Sequence, residues 1–320
     1  MAVRRDFKIF WIKIKMKIGI KVGSDGWEEI LSKTKPDCCE IWFRLDWQEK
    51  YIPLFKYLNK RKIPFGLHFW AMVDGKYFPN LLGLHDKIAE KTLKLIRQTI
   101  DIASKWRAVY VNFHPESYRL NLLDLNNSTI TTLNPNEKIN RKKSFKQLLL
   151  YLEKIKKYAD EKNVIPFLET VPKYIPANFH EIKKGRTNPQ HSEGLETERF
   201  FELSKLGYPI CFDIGHTTAQ LITNDNKKLF NYLLQAARTM LPTIGLIHVT
   251  TTIPPFKGTD SHNGVLEKDF KHDIFPNKNQ LRQFLFLFKD KNVWLIPEPK
   301  KEEMTANFFS LKKIVASIVS

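Results

Sequence analysis

Eight short apolar runs punctuate the chain, and six of them close on a side chain able to bind a metal ion. The stretches 62–68, 108–114, 164–169, 208–213, 244–248 and 293–298 end on His68, His114, Glu169, Asp213, His248 and Glu298. Runs of this length without polar alternation suit strands of a parallel sheet covered on both faces. Two earlier runs, Lys17–Lys21 and Cys38–Phe43, complete the set. Between the runs lie amphipathic patterns of helical period. The longest span His85–Lys105, with Ile88, Leu93, Ile96 and Ile100 on one face, and Phe145–Tyr158, with Leu148, Leu152 and Ile155. Shorter ones are predicted at Trp27–Ser32, Tyr51–Lys60, Thr197–Leu206, Lys228–Met240, Gln280–Lys289 and Thr305–Ser317.

Eight strand–helix alternations over this length predict an α/β fold of the (β/α)8 (TIM) barrel type. A doubly wound open sheet is the rival, but it does not draw ligands from six consecutive strands. In a barrel, chemistry sits at the C-terminal ends of the strands, where every ligand-type residue falls here. One His or Glu after a strand is usually a loop hydrogen-bonder; a series of six predicts a metal site. His216, Asp260 and His262 follow just beyond the strand ends.

Glu169 has ligands on both neighbouring strands, so it is placed to bridge two divalent ions. Histidine nitrogen combined with carboxylate oxygen suits zinc or manganese. Asp213 and His216 are three apart across a strand end and can face different ions. Asp260 and His262, two apart in an extended loop, point the same way. Orientation of other ligands, or hydrogen bonding to substrate, is a competing use for His216 and His262.

The 320 residues fit one barrel domain, residues 16–320, preceded by a basic extension, residues 1–15. Long insertions follow the fourth strand (116–143) and the fifth (172–193), both on the rim of the expected site. Cys38, Cys39 and Cys211 are odd in number and lack zinc-motif spacing, so they read as reduced thiols of a cytoplasmic protein. No apolar run reaches membrane-spanning length and no signal peptide is apparent. The formal charge of +18 and pI near 9.6 favour polyanionic partners, although Lys-rich composition alone produces the same balance.

Asn112-Phe113-His114-Pro115, Phe167-Leu168-Glu169-Thr170, Asp213-Ile214-Gly215-His216, His248, Asp260-Ser261-His262 and Glu298 together resemble the endonuclease IV family (AP endonuclease family 2), within the xylose-isomerase-like barrels. The resemblance spans Met16 to about Pro299. It implies up to three zinc ions used to cleave damaged double-stranded DNA at abasic sites. Carried over, His68, His114 and Glu169 hold one ion; Glu169, Asp213, His248 and Glu298 a second; His216, Asp260 and His262 the third. Glu169 and Glu298 then orient the attacking hydroxide, and Trp70 and Tyr77, after His68, are candidates to contact substrate.

Three stretches depart from that pattern, one being the loop after His68, Phe69–Tyr77, whose Trp70, Met72 and Tyr77 suit equally a wedge into duplex DNA and the cap of a small apolar pocket. Where the family's first strand ends in a His, this chain reads Ile20-Lys21-Val22-Gly23-Ser24. The second strand ends Glu40-Ile41-Trp42-Phe43-Arg44, more like the sugar isomerases and epimerases of the same superfamily. Those enzymes use one divalent ion, manganese among the candidates, held here by Glu169, Asp213, His248 and Glu298, and would take a small sugar as substrate. His68 and His114 separate the two readings, because the one-ion mechanism does not need them as ligands. A non-catalytic barrel that binds nucleic acid is the third possibility, and the intact ligand set argues against it.

Overall fold

The computed structural model describes residues 16–175, 193–254, 256–259 and 261–319. The basic extension 1–15, most of the second insertion and Asp260 lie outside the described residues.

Eight parallel strands close a barrel: β1 (Met16–Val22), β2 (Cys38–Arg44), β3 (Phe65–Trp70), β4 (Tyr110–Phe113), β7 (Ile165–Glu169), β8 (Ile210–Asp213), β9 (Ile244–Val249) and β10 (Val293–Pro297). A two-stranded antiparallel ribbon, β5 (Asn121–Asp124) and β6 (Thr129–Thr132), stands in the first insertion, where the Asn- and Thr-rich sequence reads as loop. The outer ring is α1 (Trp27–Thr34), α2 (Ile52–Arg61), α3 (Asp86–Trp106), α4 (Arg141–Glu161), α5 (Thr197–Lys205), α7 (Asn226–Met240), α8 (Lys278–Phe286) and α9 (Met304–Val319). A short helix, α6 (Ile214–Ala219), follows β8 directly and is not predicted by periodicity. Among the described residues, no helix is long and apolar enough to cross a membrane.

Two apolar layers result from the period-two geometry of the strands. Outward positions such as Ile20, Ile41, Leu67, Val111, Leu168, Phe212, Ile247 and Leu295 pack under the helices in one large core. The helices present matching stripes; α3 buries Ile88, Leu93, Ile96, Ile100 and Ala103. Helix starts are capped where polar side chains allow. Asp225 Oδ1 accepts from Lys227 N at 2.9 Å and Lys228 N at 3.0 Å, and Asn277 with Gln280 forms a capping box on α8. Such caps contribute about 1 kcal/mol each.

Inward positions make a second, smaller core: Cys38, Tyr110, Phe167, Cys211, Leu246, Trp294 and Ile296. This plug fills the barrel, so the interior is solid, as the fold requires. All three cysteines are buried free thiols. Gly66 makes room for the plug, since a Cβ there would lie 2.2 Å from the Tyr110 ring.

Gly66→Ala is therefore expected to displace Tyr110 and destabilise the fold by about 1–3 kcal/mol. A denaturant midpoint equal to that of the wild type, with unchanged slope, would show that the barrel accommodates the methyl group without loss.

Candidate metal centre

Each strand places one polar side chain two residues beyond a residue lining the barrel interior. Lys21 follows Gly19, Glu40 follows Cys38, His68 follows Gly66 and Asn112 follows Tyr110. Glu169 follows Phe167, Asp213 follows Cys211, His248 follows Leu246 and Glu298 follows Ile296. The parity of the strands thus sets a polar ring directly on the apolar plug.

Glu169 is fully buried and stands at the centre of this ring. Its Oε1 lies 3.2 Å from His114 Nε2, 3.1 Å from His248 Nδ1 and 3.3 Å from His216 Nδ1; its Oε2 lies 3.5 Å from His68 Nε2 and accepts from Asn112 Nδ2. His248 Nδ1 is also 3.2 Å from Glu298 Oε1 and 3.7 Å from Asp213 Oδ2. Consecutive rings His248, His68, His114, His216 and His262 follow one another at centroid spacings of 5.4, 5.4, 5.4 and 5.6 Å. His262, in the left-handed region at φ 42°, is half-exposed, and its Nδ1 is 3.7 Å from Glu298 Oε2.

Asp213 does two jobs. It caps α6, its Oδ1 accepting from His216 N at 2.7 Å, while its Oδ2 faces His248. The short helix explains why Asp213 and His216 come together: they are the cap and third helical residue of one turn.

These buried side chains form groups that could hold a divalent ion: His68, His114 and Glu169; Glu169, Asp213 and His216; and Glu40, His68, His248 and Glu298. Donors 2.0–2.2 Å from a tetrahedral ion stand about 3.3 Å apart, the scale of the spacings around Glu169 and His248. Buried Asn112 Oδ1 has no hydrogen-bond partner, which suits a donor arranged for a cation. The residues present therefore fit a metal. Glu298 is drawn into the group with Glu40, and it does not close as one group with both Glu169 and Asp213.

Protonation follows the same crowding. Burial pushes the carboxyls of Glu169, Glu40 and Glu298 up, but neighbouring cations outweigh it and hold all three well below the usual range. The cations are His248 and His114 for Glu169, and His248 and Lys21 for Glu40 and Glu298. Burial opposes the charge on His114, yet Glu169 and Glu116 raise it to about 9. Glu116 Oε1 lies 3.5 Å from His114 Nδ1, so it orients that imidazole from behind.

Lys21, Glu40, Tyr110 and Glu116 belong to the site, although scanning strand ends for ligand types passes over them. Glu40 Oε2 accepts from Tyr110 Oη at 3.0 Å and faces His248 Nε2 at 3.2 Å. The available signal was a carboxylate inside the otherwise apolar Cys38–Phe43 run.

Two cavities meet over the ring. One, of about 340 Å³, is walled by Phe69, Trp70, Phe78 and Ile130 above His68, His114, Glu169 and Glu298. The other, of about 430 Å³, lies between the 23–25 loop, Trp47, Lys300 and Lys301. Lys21, Trp42, His262 and Glu298 line both. Arg44 is held between Trp47 and Trp70, 3.8 and 4.5 Å from the ring centroids. Trp70 is at the cavity wall, whereas Tyr77 pairs with Val73 and Leu122 in a side cluster and Phe78 takes the wall position. A hollow of about 600 Å³ on the outer face of α4, lined by Lys143, Gln147 and Leu150, is remote from these groups.

The family model described as "Xylose isomerase-like TIM barrel" matches residues 21–268. No curated protein sequence matches the chain. Among solved structures, a D-tagatose 3-epimerase-like protein is similar at 14% identity and TM-score 0.64, over 95% of this chain and 98% of that one. Endonuclease IV from Thermus thermophilus is similar at 14% identity and TM-score 0.58, over 94% and 99%. A 3-keto-D-glucoside 4-epimerase from E. coli is similar at 15% identity and TM-score 0.59, over 94% and 99%. At such identities the structural likeness speaks for the fold, and epimerases and a nuclease share it. With its closed eight-strand barrel and the family match over most of its length, the chain belongs to the xylose isomerase-like TIM barrel family.

Proposed function

We propose that this chain is a zinc-dependent phosphodiesterase of the endonuclease IV type, hydrolysing the DNA backbone at abasic sites. The observation that carries the reading is that Glu169 is shared by two ligand groups, His68 and His114 with Glu169, and Asp213 and His216 with Glu169. A carboxylate flanked in this way suits a bridge between two ions, an arrangement that phosphoryl transfer uses and one-ion sugar chemistry does not need. His68, His114 and Glu169 would hold one ion, and Glu169, Asp213, His248 and Glu298 a second. His216 and His262, with Asp260, would hold a third.

Divalent ions there supply Lewis-acid charge to a phosphoryl oxygen and acidify an attacking water. The chain's own groups do the positioning. Glu169 and Glu298 stay ionised among their cationic neighbours, so they act as acceptors that orient the hydrogens of that water. Phe69, Trp70 and Phe78 exclude bulk water from one side of the reacting group. Lys300 and Lys301, exposed along the second cavity, favour a polyanionic strand, in keeping with the net charge of +18. An abasic nucleotide is cheaper to extrude into such a mouth than a paired one.

The second reading is a sugar isomerase or epimerase using one ion, manganese or another divalent metal, on Glu169, Asp213, His248 and Glu298. It is favoured by the size and apolar walls of the cavity of about 340 Å³, which suit a small closed-in ligand.

Zinc-loaded protein is expected to incise a labelled duplex at a single synthetic abasic site, leaving a 3′-hydroxyl, and Glu298→Gln to lower the rate by about 100-fold or more. Intact duplex at full metal loading, together with turnover of a keto- or aldo-sugar panel, would replace this reading with the second. His114→Ala is expected to lower zinc content by about one ion per chain. Elemental analysis giving unchanged stoichiometry would confine His114 to another role.

A further inference from the structure

Lys21 is the one member of the polar ring contributed by β1, and its ammonium sits inside the ligand set. Its Nζ contacts Glu298 Oε1, lies 2.6 Å from His68 Nδ1 and 3.2 Å from Glu40 Oε1, and its side chain is only 11% exposed. Glu298 Oε1 and His68 Nδ1 thus accept from the ammonium, and Glu40 Oε1 adds an ion pair.

Two of those acceptors are also wanted by a metal. Glu298 Oε1 faces His248 Nδ1 at 3.2 Å, so the oxygen that Lys21 holds is the one that points toward the Glu169–His248 side. His68 presents Nε2 to Glu169 and Nδ1 to Lys21. When Nδ1 accepts from the ammonium, the neutral ring carries its proton on Nε2, the nitrogen facing His114 and Glu169. An ion bound through that Nε2 requires the proton on Nδ1, where it opposes the Lys21 donor at 2.6 Å. The Lys21–His68 bond and an ion on His68 Nε2 therefore exclude one another. Glu40 does not share this conflict: it keeps Tyr110 and His248 as partners, and it can take the His68 Nδ1 proton from 3.4 Å.

We propose that Lys21 is a built-in cation that competes with the divalent metal for His68 and Glu298. In the metal-free protein it neutralises the carboxylate ring; metal loading releases it toward the two cavities, both of which it lines. The proposal rests on metal binding and not on the reaction catalysed, so zinc alone is the probe.

Full-length wild type and Lys21→Met, both stripped with a chelator, are compared by zinc titration and by melting with and without zinc. Wild type is also acylated with an amine-reactive ester, with modification at Lys21 read by peptide mass spectrometry. Lys21→Met is expected to bind zinc at least about tenfold more tightly, within the range usual for coupling between two ligands. The metal-free variant should melt below metal-free wild type, with zinc closing the gap. Lys21 should resist acylation without zinc and react with it. Equal zinc affinities, a melting deficit that zinc leaves untouched, or a Lys21 that stays unreactive when loaded would each overturn the proposal. The acylation readout needs no variant, so it decides the question even if Lys21→Met fails to fold.

Discussion

Four carboxylates, Glu40, Glu169, Asp213 and Glu298, are buried together at the top of a closed barrel, and much of the rest of the molecule serves to hold them there. An ionised carboxylate taken out of water loses several kcal/mol of hydration even after the protein relaxes, and neighbouring like charges add repulsion. Compensation comes from side chains: the Lys21 ammonium, five imidazoles in a row, the Tyr110 hydroxyl and the Asn112 amide. Gly66 belongs to the same account, because its missing Cβ lets the Tyr110 ring cross the barrel to reach Glu40.

The rim is tied down to match. Asn80 Oδ1 accepts from Leu82 N at 2.9 Å and Gly83 N at 2.7 Å, while its amide donates to Ser117 O at 2.8 Å and Arg119 O at 3.0 Å. The loop after β3 is thereby fixed to the loop after β4, and both carry cavity residues. Arg141 at the start of α4 reaches Glu193 and Glu196, and Tyr118 donates to Glu196. That network joins the two long insertions across the mouth. Ordered loops matter here because a site built from eight strand ends needs its walls in register with its floor.

How much of this was legible follows from what periodicity carries. The barrel was readable because parallel strands buried on both faces are short apolar runs, and because β3, β4, β7, β8, β9 and β10 all end near their polar ring residue. Glu40 escaped because β2 continues for four residues beyond it, to Arg44. Strands in a barrel are staggered, so one height in space is a different position in each strand. Glu40 pairs with Lys21 on one side, whereas His68 pairs with Trp42, two residues further along β2. Lys21 escaped for a chemical reason: a lysine is not a metal ligand, and only its neighbours show that it stands among ligands. The ribbon β5–β6 was hidden by its Asn and Thr content, and the backbone bridge from Tyr77 to Leu122, which ties the loop after β3 to that ribbon, leaves no periodic trace.

The fold alone leaves nuclease and epimerase side by side, since both kinds of protein are similar to this chain at 14–15% identity. The two readings part at His68 and His114, which only the nuclease needs as ligands. A single ion on Glu169, Asp213, His248 and Glu298 would leave His68 and His114 beside Glu169 as ion-pair partners and not as ligands. A second ion there would take His68 and His114 as ligands together with Glu169. Glu116, placed 3.5 Å behind His114, gains a purpose on the same terms, because a ligating imidazole needs a partner on its other nitrogen. The residues that a one-ion mechanism leaves idle are therefore set directly against Glu169, His114 at 3.2 Å and His68 at 3.5 Å, with Glu116 behind.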